Sequence, residues 1–153
     1  MANVTALANF KNQMAYLPEG VRQVVDSVTR FLPPDIVAAD SLGLYAFPAI
    51  AATKQDVTTT AGARPLAIII LAHAAAAVSY VQLWNVQSGS VTVGVDAWMT
   101  IPVSNTNNEI TAVCFFGQSW KRVWDTGMTI AASSASETSS APSVPPDVWV
   151  LFG

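Results

Sequence analysis

The chain has 153 residues and a formal net charge of −3; 52% of its residues are hydrophobic and only 11% are charged. This length fits one domain with an appendage, and such a domain can bury a core without metal or disulfide support. The seven basic residues are scattered along the sequence, which disfavours nucleic-acid and membrane partners because both need a basic cluster.

The low charge content is the most unusual property of the sequence, since an average soluble protein is about 25% charged. A monomer with so few charges would leave many apolar atoms exposed, and large exposed apolar patches usually mark association surfaces. We therefore expect an oligomer, or a subunit docked on a larger assembly. An unusually uncharged monomer is the alternative.

Residues 1–32 are predicted to form an N-terminal helical arm. Apolar residues recur at helical spacing from Glu19 to Leu32, after Pro18 and before Pro33, and a shorter helix is predicted upstream. Because valine is a mediocre helix former, the second helix should depend on packing against a partner. The candidate interface residues on this helix are Val21, Val24, Val25, Val28 and Phe31.

Residues 33–63 are interpreted as a connector with at most one short strand within 45–52, and residues 64–153 as a β-sandwich domain. From residue 64 the apolar pattern shortens to a period of two, and turn residues separate the segments. Seven strands are predicted, at 66–73, 78–86, 90–95, 97–103, 109–116, 128–132 and 147–152. This spacing indicates a mostly β fold, as a sandwich, jelly roll or barrel.

Between Pro65 and Trp120 the only charged residues are Asp96 and Glu109. Such a sheet is expected to be covered on both sides, by the opposing sheet and by either a neighbouring subunit or the N-terminal helices. Residues 133–146 are rich in serine and proline, which predicts an exposed loop before the last strand. The start of the chain has no secretory signal pattern, and the longest apolar run, 66–78, is too short to span a bilayer.

No group of side chains identifies a reaction. His73 is the sole histidine and lies among apolar residues, so a core or interface role is favoured over a catalytic triad. Cys114 is the sole cysteine and lies in an apolar strand, where it should be inert. Phosphate-loop and dinucleotide fingerprints are absent from the sequence. We therefore assign no catalytic, metal or cofactor residue and predict a non-enzymatic protein.

Five tryptophans suggest either core filling or ligand stacking, and core filling is favoured. The segment from Trp120 to Trp124 also contains Lys121 and Arg122. It is the best candidate for a polar–aromatic contact surface, which adds Trp120 and Trp124 to the interface candidates.

The β region resembles small structural proteins of tailed bacteriophages that form a jelly-roll-like β-sandwich. The resemblance begins at 75–85, with the pattern Tyr-Val-Gln-Leu-Trp-Asn, continues through 91–95 and 99–103, and ends with 127–133, a Ser/Thr-rich loop and an apolar strand. It covers roughly residues 64 to 153 and marks strands and turns.

This resemblance implies a virion protein, most simply a capsid cement or decoration protein that is assembled in the host cytoplasm. The implied partners are copies of the chain itself, as a homotrimer, and the major capsid protein or another virion protein. A receptor- or glycan-binding module of a tail or head fibre is the alternative. An enzyme is the third and least favoured class.

Overall fold

The computed structural model describes residues 14–30, 43–58, 65–115 and 126–152. One helix and eight strands lie in these ranges, so the fold is mostly β, as predicted. They are α1 (Glu19–Arg30), β1 (Gly43–Phe47), β2 (Gln55–Thr58), β3 (Pro65–Leu71), β4 (Ser79–Trp84), β5 (Met99–Val103), β6 (Ile110–Cys114), β7 (Met128–Ser133) and β8 (Asp147–Phe152).

The strands form two antiparallel sheets of four, in the order β1-β8-β3-β6 in sheet A and β2-β7-β4-β5 in sheet B. β1 pairs with β8, β2 with β7, β3 with β6, and β4 with β5. The chain therefore forms a long antiparallel ribbon whose tip is the β4–β5 pair. Pairing of β3 with β8 and of β4 with β7 rolls this ribbon into the two sheets of a β-sandwich.

The main core lies between the sheets and follows from the two-residue period of the strands. In β4, Val81 and Leu83 are fully buried between the sheets, where they meet Ile68 and Ile70 of β3. Full burial of such a side chain contributes about 1.5–3 kcal/mol relative to exposure. The alternating residues of β3 and β4 point to the outer faces and must be covered by other parts of the chain.

Helix α1 covers the outer face of sheet A. Its residues Val21, Val25 and Val28 are buried in a second cluster that includes Ile69 of β3 and Leu151 of β8. This contact explains why every residue of β3 is buried. The sequence predicted that either a neighbouring subunit or the N-terminal helices would cover the second face of the sheet. In sheet A, helix α1 covers it. The helix was predicted to end at Leu32; residues 31 and 32 lie outside the described residues.

The outer face of sheet B is covered by loops, and here one predicted strand is wrong. The segment 90–95 was expected to be a strand, but the structure has a 3₁₀ turn at Ser88–Ser90 followed by turns. Gly94 and Asp96 adopt positive φ angles of 86° and 49°, which interrupt extended backbone. Residues 85–98 instead fold back over sheet B, so that Val91 is buried against Trp84 and Ala131.

The sandwich also begins earlier than the sequence pattern indicated. β1 and β2 lie within residues 33–63, the predicted connector, and they pair with β8 and β7. The sheets therefore start at Gly43 rather than at residue 64. Periodicity failed here because β2 has only four residues and contains a register shift between Asp56 and Thr58.

Replacing Tyr45 by Phe is expected to leave stability at neutral pH unchanged or to raise it by up to about 1 kcal/mol. The Tyr45 hydroxyl is buried and has no hydrogen-bond partner in the described part of the chain. The ring packs edge-on against Phe152, with the centroids 5.5 Å apart, and Phe preserves that contact. Urea denaturation of both proteins at pH 7 measures the difference; a loss above 1 kcal/mol would show that the hydroxyl is bonded.

Comparison of the wild type with Tyr45→Phe also tests how the free energy of unfolding depends on pH, because burial raises the pKa of Tyr45 to about 12. The folded state holds this proton more tightly than the unfolded state, whose tyrosine pKa is about 10. The contribution of the Tyr45 proton to the free energy of unfolding is therefore present below pH 10 and is lost as the pH rises from 10 to 12. Tyr45→Phe should therefore lose less stability than the wild type across this interval.

Candidate functional site

The interface candidates on the helix are largely used inside the chain. Val21 and Val25 are fully buried, Val28 is nearly so, and Val24 is half-buried. Their partners are residues of sheet A. Phe31, Trp120 and Trp124 lie outside the described residues. The described helix therefore offers its polar side, rather than its valine stripe, to any partner.

Large hydrophobic side chains are seldom exposed in the described ranges. Tyr16, Val78 and Val95 are exposed, and they come from three separate segments. The low charge content is instead accommodated by serine, threonine, asparagine and alanine in loops such as 133–146. A broad apolar association face is thus not found on this part of the molecule.

Three of the five tryptophans fill the core, as favoured from the sequence. Trp84 and Trp149 are buried on the outer faces of sheets B and A, and Trp98 packs against Phe115 between the sheets. The Trp84 indole donates a hydrogen bond to the carbonyl of Val95 at 2.8 Å. Trp84 therefore also fixes the loop that covers sheet B.

His73 has a carboxylate partner at one end of the sandwich. Its Nε2 lies 3.0 Å from Oδ2 of Asp147, the first residue of β8. Oδ1 of Asp147 accepts a hydrogen bond from the backbone N–H of Ala49 at 2.7 Å, and Ala49 has a positive φ of 49°. The carboxylate thus joins the segment after β3, the turn after β1 and the start of β8. This pair is a structural junction, and His73 is half-buried there rather than part of the core.

Asp147→Ala is expected to lower the free energy of unfolding by about 2 kcal/mol, because it removes two hydrogen bonds to a carboxylate that is partly screened by solvent. Asp147→Asn keeps an acceptor for the Ala49 N–H and should cost about half as much. His73→Ala removes a single bond, with a loss of about 1 kcal/mol. Urea denaturation measures all three; equal losses for both Asp147 variants would argue against the Ala49 bond.

Gln82 forms a buried polar centre with three hydrogen bonds. It is fully buried on the outer face of sheet B. Its Nε2 donates to the Ser133 hydroxyl and to the Ser136 carbonyl, both at 2.9 Å, and its Oε1 accepts from the Gly94 N–H at 2.8 Å. One side chain thus ties the 85–98 loop and the 133–146 loop to β4.

Glycine at position 94 is required where these two loops meet. A Cβ on Gly94 would lie 2.6 Å from the backbone of Thr138, and its φ of 86° already favours glycine. We name this arrangement of Gln82, Gly94, Ser133 and Ser136 the Gln82 clasp. Gln82 and Trp84 share one face because side chains alternate along β4, and both bond to the 85–98 loop on that face.

Acidic and thiol groups in the described residues are also engaged structurally. Asp56 accepts hydrogen bonds from the N–H and the hydroxyl of Ser88, both at 2.7 Å. Within the described ranges no three His, Cys, Asp or Glu side chains converge as metal ligands. Burial raises the pKa of the Cys114 thiol, which disfavours the reactive thiolate.

A depression of about 210 Å³ beside α1 is lined by Met14, Arg22, Gln23 and Asp26.

The sequence reasoning missed two of these centres. No sequence pattern links Asp147 to His73, because 74 residues separate them. A single glutamine within the apolar strand β4 was a usable signal for the clasp, since a buried amide needs hydrogen-bond partners.

No helix among the described residues is long and apolar enough to cross a membrane.

No family model, no curated protein and no solved structure matches the chain.

Proposed function

We propose that this chain is a structural virion protein, a capsid cement or decoration protein of a tailed bacteriophage. In this proposal the β-sandwich is a jelly roll, copies of the chain associate as a homotrimer, and the trimer binds the major capsid protein. The chain acts by reinforcing the shell and performs no catalysis. The assembled virion is its place of action.

The strand order is the observation that carries this proposal. Each of the eight strands pairs with its counterpart from the other end of the chain, and the resulting ribbon is rolled into sheets β1-β8-β3-β6 and β2-β7-β4-β5. Rolled double-sheet folds of eight strands occur in viral capsid proteins and in lectins. The sequence pattern of residues 64–153, which resembles that of phage structural proteins, is the reason that the proposal favours a virion over the other proteins with such folds.

The polar chemistry of the described residues supports a structural role. The buried amide of Gln82 holds two covering loops, and Asp147 holds three chain segments together. Such bonds rigidify a module, and a rigid module suits repeated docking on a shell, where many weak contacts add up by multivalency.

The proposed arm, residues 1–32, includes α1 as its anchor. Because Val21, Val25 and Val28 hold α1 on sheet A, we assign contact with the shell to other candidates, namely Phe31, Trp120 and Trp124. Large aromatic residues commonly dominate binding energy at protein interfaces.

Electron microscopy of particles purified through a tag on this chain tests the proposal. We expect regularly spaced copies on the capsid surface. Trp120→Ala with Trp124→Ala should reduce the number of copies per particle by more than tenfold, which corresponds to about 1.4 kcal/mol or more per site. Tyr16→Ala, at an exposed aromatic residue, is the control and should leave occupancy unchanged. Tagged chain recovered without particles, or at the tail alone, would contradict the cement assignment.

A glycan- or receptor-binding module of a tail or head fibre is the second candidate, favoured by the occurrence of jelly rolls in lectins and by the paired tryptophans at 120 and 124. A glycan array with the purified chain distinguishes the two. Binding that is lost in the double tryptophan variant, together with a location at the tail, would replace the cement role.

A further inference from the structure

The two edges of sheet B carry features that prevent pairing with another chain. β5 has Pro102 at an exposed position, and proline has no N–H for a further strand. β2 is four residues long, contains a register shift, and bears the charged residue Asp56. Short, bulged or charged edge strands and edge prolines are recognised ways to block edge-to-edge association.

Apart from its length of five residues, the β6 edge of sheet A has none of these features; β1, the other edge of this sheet, also lacks charge and proline and has a regular register. The sequence of β6 from Ile110 to Cys114 is Ile-Thr-Ala-Val-Cys, with no charge, no proline and a regular register along β3. Ala112, at the centre of the strand, is exposed. An uncharged, flat edge strand is a template for pairing with another strand.

The hydrogen-bond phase shows which backbone groups of β6 face outward. Phe115 donates to the Leu66 carbonyl, and Ala72 donates to the Glu109 carbonyl. Because bonding alternates along an antiparallel strand, the odd-numbered residues from 109 to 115 face β3. Ile110, Ala112 and Cys114 therefore direct their N–H and C=O groups away from β3, towards the side of β6 on which no described strand lies.

We propose that β6 pairs antiparallel with β6 of a second copy of this chain, about a two-fold axis at Ala112. This pairing places Ala112 opposite Ala112 of the second copy, and Ile110 opposite Cys114. All six outward groups of each strand then find partners, in three reciprocal pairs. Ile110 and Cys114 are half-buried at the rim of the cluster under α1, so pairing also extends that apolar layer.

The β6 pairing supplies a surface for the self-association in the proposed function. The inference rests on that self-association. Being two-fold, the contact is additional to the three-fold contact of the proposed trimer. It would join chains of neighbouring trimers. Five-residue strands make a small interface compared with the 1,200–2,000 Å² of stable complexes, so the contact should be weak in isolation and reinforced by multivalency.

Disulfide trapping of the full-length chain tests the pairing. In a Cys114→Ser background, Ala112→Cys should give more than half disulfide-linked dimer under a glutathione redox buffer, because the Cα atoms of a hydrogen-bonded antiparallel pair are about 5.5 Å apart. Ala46→Cys, at an exposed position in the other edge strand of sheet A, is the control and should stay unlinked. With native Cys114, Ile110→Cys should also link, whereas Cys114 alone should not.

A charged residue at the proposed two-fold axis, at position 112, gives an independent test of the β6 pairing. Ala112→Lys should weaken the concentration-dependent association of trimers with one another in analytical ultracentrifugation at least tenfold, with an unchanged circular dichroism spectrum and an intact trimer, and Ala46→Lys should not. Association that Ala112→Lys leaves unaltered would overturn β6 pairing while leaving self-association intact. A dimer trapped between Ala46→Cys and Ala112→Cys, but not by Ala112→Cys alone, would also overturn it, in favour of head-to-tail pairing. A chain that is monomeric at all concentrations would overturn both the pairing and the trimer.

Discussion

Gln82→Leu is expected to lower the free energy of unfolding by about 3 kcal/mol, although leucine is close to glutamine in size. The variant removes three hydrogen bonds and leaves the Gly94 N–H and the Ser136 carbonyl without their partner. Each unsatisfied buried group costs about 1–3 kcal/mol, reduced where water can enter. For a chain of this length the melting temperature should fall by roughly 10 °C.

Gln55→Leu is the matched control, since Gln55 lies in β2 of the same sheet with an exposed side chain. A surface change of this kind should stay within about 0.5 kcal/mol. Urea denaturation followed by tryptophan fluorescence measures both variants. Equal effects of the two substitutions would mean that the clasp contributes nothing beyond the strand itself.

The clasp makes a second prediction about where the effect is felt. Hydrogen exchange of the amides in 85–98 and 133–140 should accelerate in Gln82→Leu more than exchange in β3. The reason is that Gln82 joins these loops to β4, whereas β3 is held by two neighbouring strands and α1. Uniform acceleration throughout the chain would indicate global destabilisation alone.

Val25→Asp is expected to separate α1 from sheet A. Val25 is fully buried in the cluster with Ile69 and Leu151, and an unpaired carboxylate there would cost several kcal/mol. Undocking the helix relieves that cost but exposes the outer face of sheet A. We expect loss of helical signal, increased binding of a hydrophobic dye, and concentration-dependent aggregation.

Gln23→Asp is the control on the same helix, because Gln23 is exposed, and it should behave like the wild type. Amide exchange locates the change: α1 should lose protection while β4 retains it. If α1 stayed protected in Val25→Asp, the helix would be held by more than its valine contacts. If β4 lost protection equally, α1 would be part of one cooperative unit with both sheets.

The sequence by itself determined the β class, six of the eight strands to within two or three residues, and the helix that begins at Glu19. These elements have strong periodic patterns, such as the valines of α1 and the alternation in β4, and a pattern of this kind depends on which side of the element is buried. The sequence also predicted that the sheets are covered on both faces, because so few charged residues occur between Pro65 and Trp120.

The tertiary structure alone decided what covers each face, which strands form the edges of the described sheets, and which polar residues meet. Residues 90–95 have the composition of a strand, yet positive φ angles at Gly94 and Asp96 turn them into a cover for sheet B. His73 and Asp147, like Gln82 and Ser136, become neighbours only when distant strands pair. Local periodicity reports that a side chain is buried, whereas the identity of its neighbour depends on contacts between segments far apart in the chain.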